Sequence, residues 1–157
     1  MTPGTPHRFE AADSPQTLAE GLAEYFAVNP ALKRDADIVS AEARRFFRSH
    51  DAVHVVYGCG TTMPDEAIVK LSSLFGTTAG LRVLRGYLHH ESLDIYRSLP
   101  VGGTVMALLM APFLIGRTIW RCAHQRSRWP WDGFDDLLDV PLRDIRSRFG
   151  IKVAHAR

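Results

Sequence analysis

A chain of 157 residues fits one domain and can bury a sizeable core. Its apolar fraction of 46% and charged fraction of 23% are those of a globular protein, and a net charge of only +2 gives no sign of a nucleic-acid partner. Two cysteines, Cys59 and Cys122, stand at no paired-ligand spacing, which excludes a disulfide framework and points to a reducing compartment.

Residues 1–15 are rich in Pro, Thr and Gly. They lack both the apolar centre of a secretory signal and the arginine-rich amphipathic character of a mitochondrial one, so a flexible N-terminal tail is expected there. The remainder, 16–157, reads as a single helical domain. Residues 16–27 carry Leu18, Leu22, Tyr25 and Phe26 at helical spacing and stop near Asn29-Pro30. A second helix is expected over 35–48, with Ile38, Val39 and Phe46 on its apolar side. A third covers 64–75, with Ile68, Leu71, Leu74 and Phe75, and ends at Gly76. Residues 81–99 place Leu84, Leu88 and Ile95 in one register, with Glu91 where that register calls for an apolar side chain and His89 and His90 just before it. Glu91 either supports a metal-bound imidazole from behind or lies at the stripe's edge and reaches water. A long apolar helix is expected over 104–125 and a short one over 140–149. Nothing alternates as a strand, so the expected fold is an all-α, single-domain helical bundle.

The uncharged run 101–119 is short for a bilayer span, which takes about 20 apolar residues, and it is interrupted by Gly102, Gly103, Pro112 and Gly116. A central helix of the bundle, or half of a homodimer interface, is the expectation for it. Arg117, Trp120, Arg121, Arg126, Arg128, Trp129 and Trp131 follow. This mixture suits either a membrane–water boundary or arginine stems packed on indole rings at a solvated surface. The expected location is the cytoplasm, with peripheral contact to the inner face of the cell membrane as a further expectation.

Most of the functional information lies between His50 and Glu66, which read His-Asp-x-x-His-x(11)-Glu. On a helix, successive residues turn by about 100°, so His54 lies about 40° and Asp51 about 100° around the axis from His50. Two imidazoles and one carboxylate then share a face. Gly58, Gly60 and Pro64 interrupt that helix and allow a second one to return Glu66 toward the same face. The expectation is a site of two histidines and two carboxylates, with His50, Asp51, His54 and Glu66 as metal ligands. The bland alternatives are that Ser49 caps a helix, that Asp51 and Glu66 serve helix N-termini, and that Cys59 only packs in the turn.

The run from His50 to Lys70, with Gly58, Thr61, Met63, Val69 and Lys70 at matching places, resembles the signature segment of a ubiquinone (coenzyme Q) biosynthesis family, the fourth of the Coq proteins. Arg44-Arg45-Phe46-Phe47-Arg48 is similar to the basic-aromatic lead-in of that family, and Leu142 to Ile151 to its closing Phe-Gly-Ile helix. The likeness runs over about 40–70 and 129–151, while the middle differs.

The resemblance implies metal-dependent oxidative decarboxylation of a polyprenylated hydroxybenzoate, in which the ring carbon loses carbon dioxide and gains a hydroxyl. Zinc, iron and manganese all suit two imidazoles with oxygen donors. The partners implied are a prenylated aromatic or another hydrophobic small molecule, and other quinone-pathway enzymes. The alternatives are a non-catalytic lipid-binding scaffold with a structural metal, or a related metal enzyme acting on another aromatic of specialised metabolism.

Overall fold

The computed structural model describes residues 7–30, 32, 40–88 and 101–155, and of residues 87–88 and 101–110 the backbone alone. Six α-helices are described: α1 Leu18–Val28, α2 Ala41–Tyr57, α3 Met63–Phe75, α4 Val83–Leu88, α5 Val101–Ala123 and α6 Leu142–Phe149. No strand occurs among the described residues, and the fold is all-α. Residues 1–6 and the stretches 33–39 and 89–100, with Ile38, Val39, His89, His90, Glu91 and Ile95, lie outside the described residues.

Helix α2 organises the packing. Its first half is polar and largely solvent-facing, whereas Ser49 and every residue from Asp51 to Tyr57 are buried. A helix covered on all sides belongs at the centre of a fold, and α1, α3 and α6 pack around this one. Its start is capped by Ser40 Oγ, which accepts the Ala43 N–H at 3.4 Å. Its end is set by Gly58, whose φ of 65° is a left-handed conformation that side chains other than glycine's resist. Helix α3 runs along α5, and Ile68, Val69, Leu18, Tyr25, Trp129, Leu142 and Ile145 fill the common core.

The buried end of α2 leaves four carbonyls without intrahelical partners, and each finds one. His54 O accepts from Cys59 N at 2.8 Å and Val55 O from Gly58 N at 3.2 Å. Val56 O accepts from Arg146 Nε at 2.9 Å, and Tyr57 O from Ala154 N at 2.8 Å. Arg146, only 3% exposed, also donates to the carbonyls of Val55, Phe9, Ala11 and Ala12. Burial brings its pKa down to about 10, with the charges of Cys59 and Asp13 opposing, so it stays a cation at neutral pH.

Three expectations are corrected here. Residues 7–15 are not a tail: Arg8–Glu10 form a 3-10 turn, and Phe9 is fully buried, edge-on to Tyr25 at 5.9 Å. Composition missed this because one aromatic and a few backbone carbonyls suffice to anchor nine residues. Among the described side chains of 81–86 the buried residue is Val83, while Leu84 is 43% exposed. Residues 111–119, the described side chains of the run 101–119, lie at the surface of the bundle and not at its centre. In its side-chain-described part α5 buries Thr118 and Cys122 against the bundle and turns Phe113, Ile115, Ile119 and Trp120 outward. No helix among the described residues is long and apolar enough to cross a membrane. Trp129 and Trp131 are core residues rather than members of a boundary belt.

Replacing Arg146 with Met removes donors from buried carbonyls, each of which costs about 1–3 kcal/mol when left unpaired. Thermal denaturation should show a melting temperature lower by roughly 6–12 °C, corresponding to about 3 kcal/mol for a domain of this size. A shift below about 2 °C would mean the carbonyls find other partners.

Candidate metal centre

Because α2 enters the core between Arg48 and Ser49, His50 and His54 arrive there one turn apart. The side chain of His54 is fully buried and that of His50 is 12% exposed. Thr62 caps α3, its hydroxyl accepting the Asp65 N–H at 3.4 Å, and Pro64 lies in the first turn where its missing N–H is harmless. Helix α3 thereby presents Glu66 to the histidine pair. His54 Nε2 stands 3.2 Å from His50 Nε2 and 3.3 Å from Glu66 Oε1, and Glu66 Oε2 stands 3.7 Å from His50 Nε2. Ligand atoms from the three residues all lie within 4.8 Å of one another.

These spacings fit a metal ion. Four donors around a tetrahedral zinc at about 2.0–2.1 Å are separated from each other by about 3.3 Å, close to the 3.2 Å between the imidazoles and the 3.3 Å from His54 to Glu66 Oε1. The donor directions fit as well. His54 Nδ1 lies 2.8 Å from Gly60 O; with a proton on Nδ1, that contact is a hydrogen bond and Nε2 carries the lone pair that faces His50 and Glu66. Tyr25 lies against the His54 ring at 5.1 Å, and Phe46 stacks on His50 at 6.1 Å and meets Trp131 at 5.6 Å. Aromatic walls of this kind hold the imidazoles in place and keep water away.

The electrostatics agree with ligand duty. Burial, reinforced by His54, lowers the pKa of His50 from 6.5 to about 3, so its ring is neutral and able to coordinate. Burial pushes Glu66 up, but the neighbouring His54, His50 and Lys70 outweigh it and hold the carboxyl below its usual range. Burial, with Asp51 and Glu66 adding to it, raises the Tyr25 phenol, which stays protonated beside the site.

Three of the four expected ligands converge, and Asp51 does not. It is buried on α2, 7% exposed, but its carboxylate is not among the clustered donor atoms. The 100° step from His50 turns it away from the direction that Glu66 approaches. Cys59 is likewise buried and outside the cluster. The sequence reading missed a neighbour, the pair Asp65–His155 at 2.5 Å. His155 belongs to no local motif, so spacing holds no signal for it. No protein-family model matches this chain, and neither does any curated protein or solved structure.

His50 gives the metal-free protein a defined acid response. Its folded pKa of about 3 lies below the unfolded 6.5, so only the unfolded chain takes up this proton between those values and stability falls as pH drops through the window. Glu66, whose folded pKa is also depressed, loses its contribution in the same direction at lower pH. Urea midpoints measured from pH 8 to 4 should decline below about pH 6.5, and His50→Gln should flatten that decline. Equal slopes for both proteins would contradict a neutral buried His50.

Proposed function

We propose that this chain is a metal-dependent enzyme of ubiquinone biosynthesis, acting in the oxidative decarboxylation of a polyprenylated hydroxybenzoate. The observation that carries the metal part is the triad of His50, His54 and Glu66. Among the described residues three protein donors converge, a number that in zinc enzymes goes with one position left for water or substrate. The substrate part rests on the resemblance of 40–70 and 129–151 to the ubiquinone-biosynthesis family.

His50 Nε2, His54 Nε2 and a Glu66 oxygen would hold the ion. Bound there, a divalent metal supplies Lewis acidity toward an anionic phenol-carboxylate and, if redox-active, a means of engaging dioxygen. The chain's own groups do the rest. Lys70, one turn beyond Glu66, adds positive charge that is felt at both His50 and Glu66 and favours an anionic substrate. Tyr25 remains a neutral phenol beside His54, able to donate a hydrogen bond. Phe46 and Trp131 exclude water from the His50 side.

Elemental analysis of protein purified without added metal should find a transition metal or zinc near one equivalent in the wild type. A folded Glu66→Ala variant should be empty. In cells lacking the ring-decarboxylating step, the wild type should restore quinone and Glu66→Ala should not; restoration by the metal-free variant would remove the catalytic reading.

The outer face of α5 supports peripheral membrane contact. Phe113 is 67% and Trp120 52% exposed on one side of the helix, and Ile115 and Ile119 are exposed further round it. Lys152 stands over the Trp120 ring at 5.1 Å and Arg117 lies one turn before Trp120 on α5, so the apolar face has a cationic flank. The protein should float with anionic liposomes, and Phe113→Ser with Trp120→Ser should leave it at the bottom of the gradient. No flotation of the wild type would sink this reading of α5.

A further inference from the structure

We propose that His155 is a positioning residue for the triad, acting through Asp65 and touching neither ion nor substrate; the inference rests on the metal-centre reading above. Asp65 is the residue before Glu66, and its side chain is only 6% exposed. One carboxylate oxygen, Oδ2, accepts from Thr62 Oγ1 at 2.6 Å, and the other, Oδ1, accepts from His155 Nε2 at 2.5 Å.

The same carboxylate lies against the α2–α3 turn. A side-chain carbon at Gly60 would come within 3.2 Å of Asp65 Oδ2, and the Gly60 carbonyl faces His54 Nδ1. Asp65 is thus wedged between the turn that orients His54 and the helical turn that carries Glu66. Its other donor, Thr62, belongs to that turn, so among the described residues only His155 ties Asp65 to a separate element by a hydrogen bond. The tail that delivers His155 is fixed independently of it. Ile151 N donates to Arg146 O, Ala154 N to Tyr57 O, and Arg121 to the Ala154 carbonyl at 2.9 Å. The His155 side chain is itself 53% exposed and adds little to the core. Its contribution is a single charged hydrogen bond aimed at the residue beside a ligand.

Zinc binding by the full, metal-free chain separates positioning from simple stabilisation. Competition with a chromophoric chelator, at a temperature where all variants are folded, should show His155→Ala weakening zinc binding about tenfold, as loss of an outer partner of a metal ligand does. His155→Gln places an amide N–H near the position of Nε2 and should return affinity to within about twofold of wild type. His155→Asn, too short to reach Asp65, replaces the alanine variant if that one does not fold and should bind as weakly. A merely structural role lowers the melting temperature and leaves the zinc affinity of the folded protein unchanged; that result overturns the proposal while the wild type still binds zinc. Failure of the Gln variant to restore affinity overturns it too. A wild type that binds no zinc, iron or manganese ends the metal-centre reading itself.

Discussion

A helix that terminates inside a protein must find partners for its last carbonyls, because no water is there to accept the task. Helix α2 meets this demand by drawing in three separate parts of the chain. The turn at Gly58 supplies two N–H groups, α6 supplies the Arg146 guanidinium, and the tail supplies the Ala154 amide. Arg146 donates in the other direction to the segment around Phe9. One buried cation, paired with carbonyls alone, therefore joins the first described residues to the middle and the end of the fold. The metal-ligand candidates on α2 sit just before this junction, and their placement is inherited from it.

Burial also decides the chemistry of the triad. Two imidazoles 3.2 Å apart cannot both be charged in a site this dry, and desolvation keeps His50 neutral at any physiological pH. The carboxylate opposite stays ionised through its neighbours despite its own burial. Imidazole nitrogens together with a negative oxygen are the donor set that suits a divalent cation. Tyr25 packs on His54, Phe46 packs on His50, and Trp131 backs Phe46, so the candidate donors lie among aromatic rings.

Much of this arrangement was legible in local pattern. Helical periodicity located α1, α3, α5 and α6 to within a few residues at their ends, and the glycine-proline punctuation between His54 and Glu66 marked the turn that folds the triad together. The second helix was expected to stop at Arg48, whereas α2 continues to Tyr57. The run from Asp51 to Tyr57 has too little polar-apolar contrast for periodicity to show, because every face of it is covered. Angular spacing brought Asp51 into the set. It fixes which way a side chain leaves the helix but not where the partner helix arrives. The anchoring of Phe9 and the Asp65–His155 pair are joined across 137 and 90 positions of sequence, and no window a few turns wide contains both ends. Tryptophans at 129 and 131 looked like boundary residues by composition, yet the backbone of Trp129 pairs with Gly76 and Thr78 and carries the indole inside.

The contacts that close the end of α2 are distant ones: Arg146 reaches Val55 across 91 residues and Phe9 across 137. Loop closures of that length come late in assembly, since the entropy of the intervening chain must be given up before any bond forms. A growing polypeptide that has released α1 to α5 still has the end of α2 unsealed, with Val56 and Tyr57 offering bare carbonyls. Until Arg146 and Ala154 emerge, His50 and His54 sit on a helix whose buried end is not yet closed.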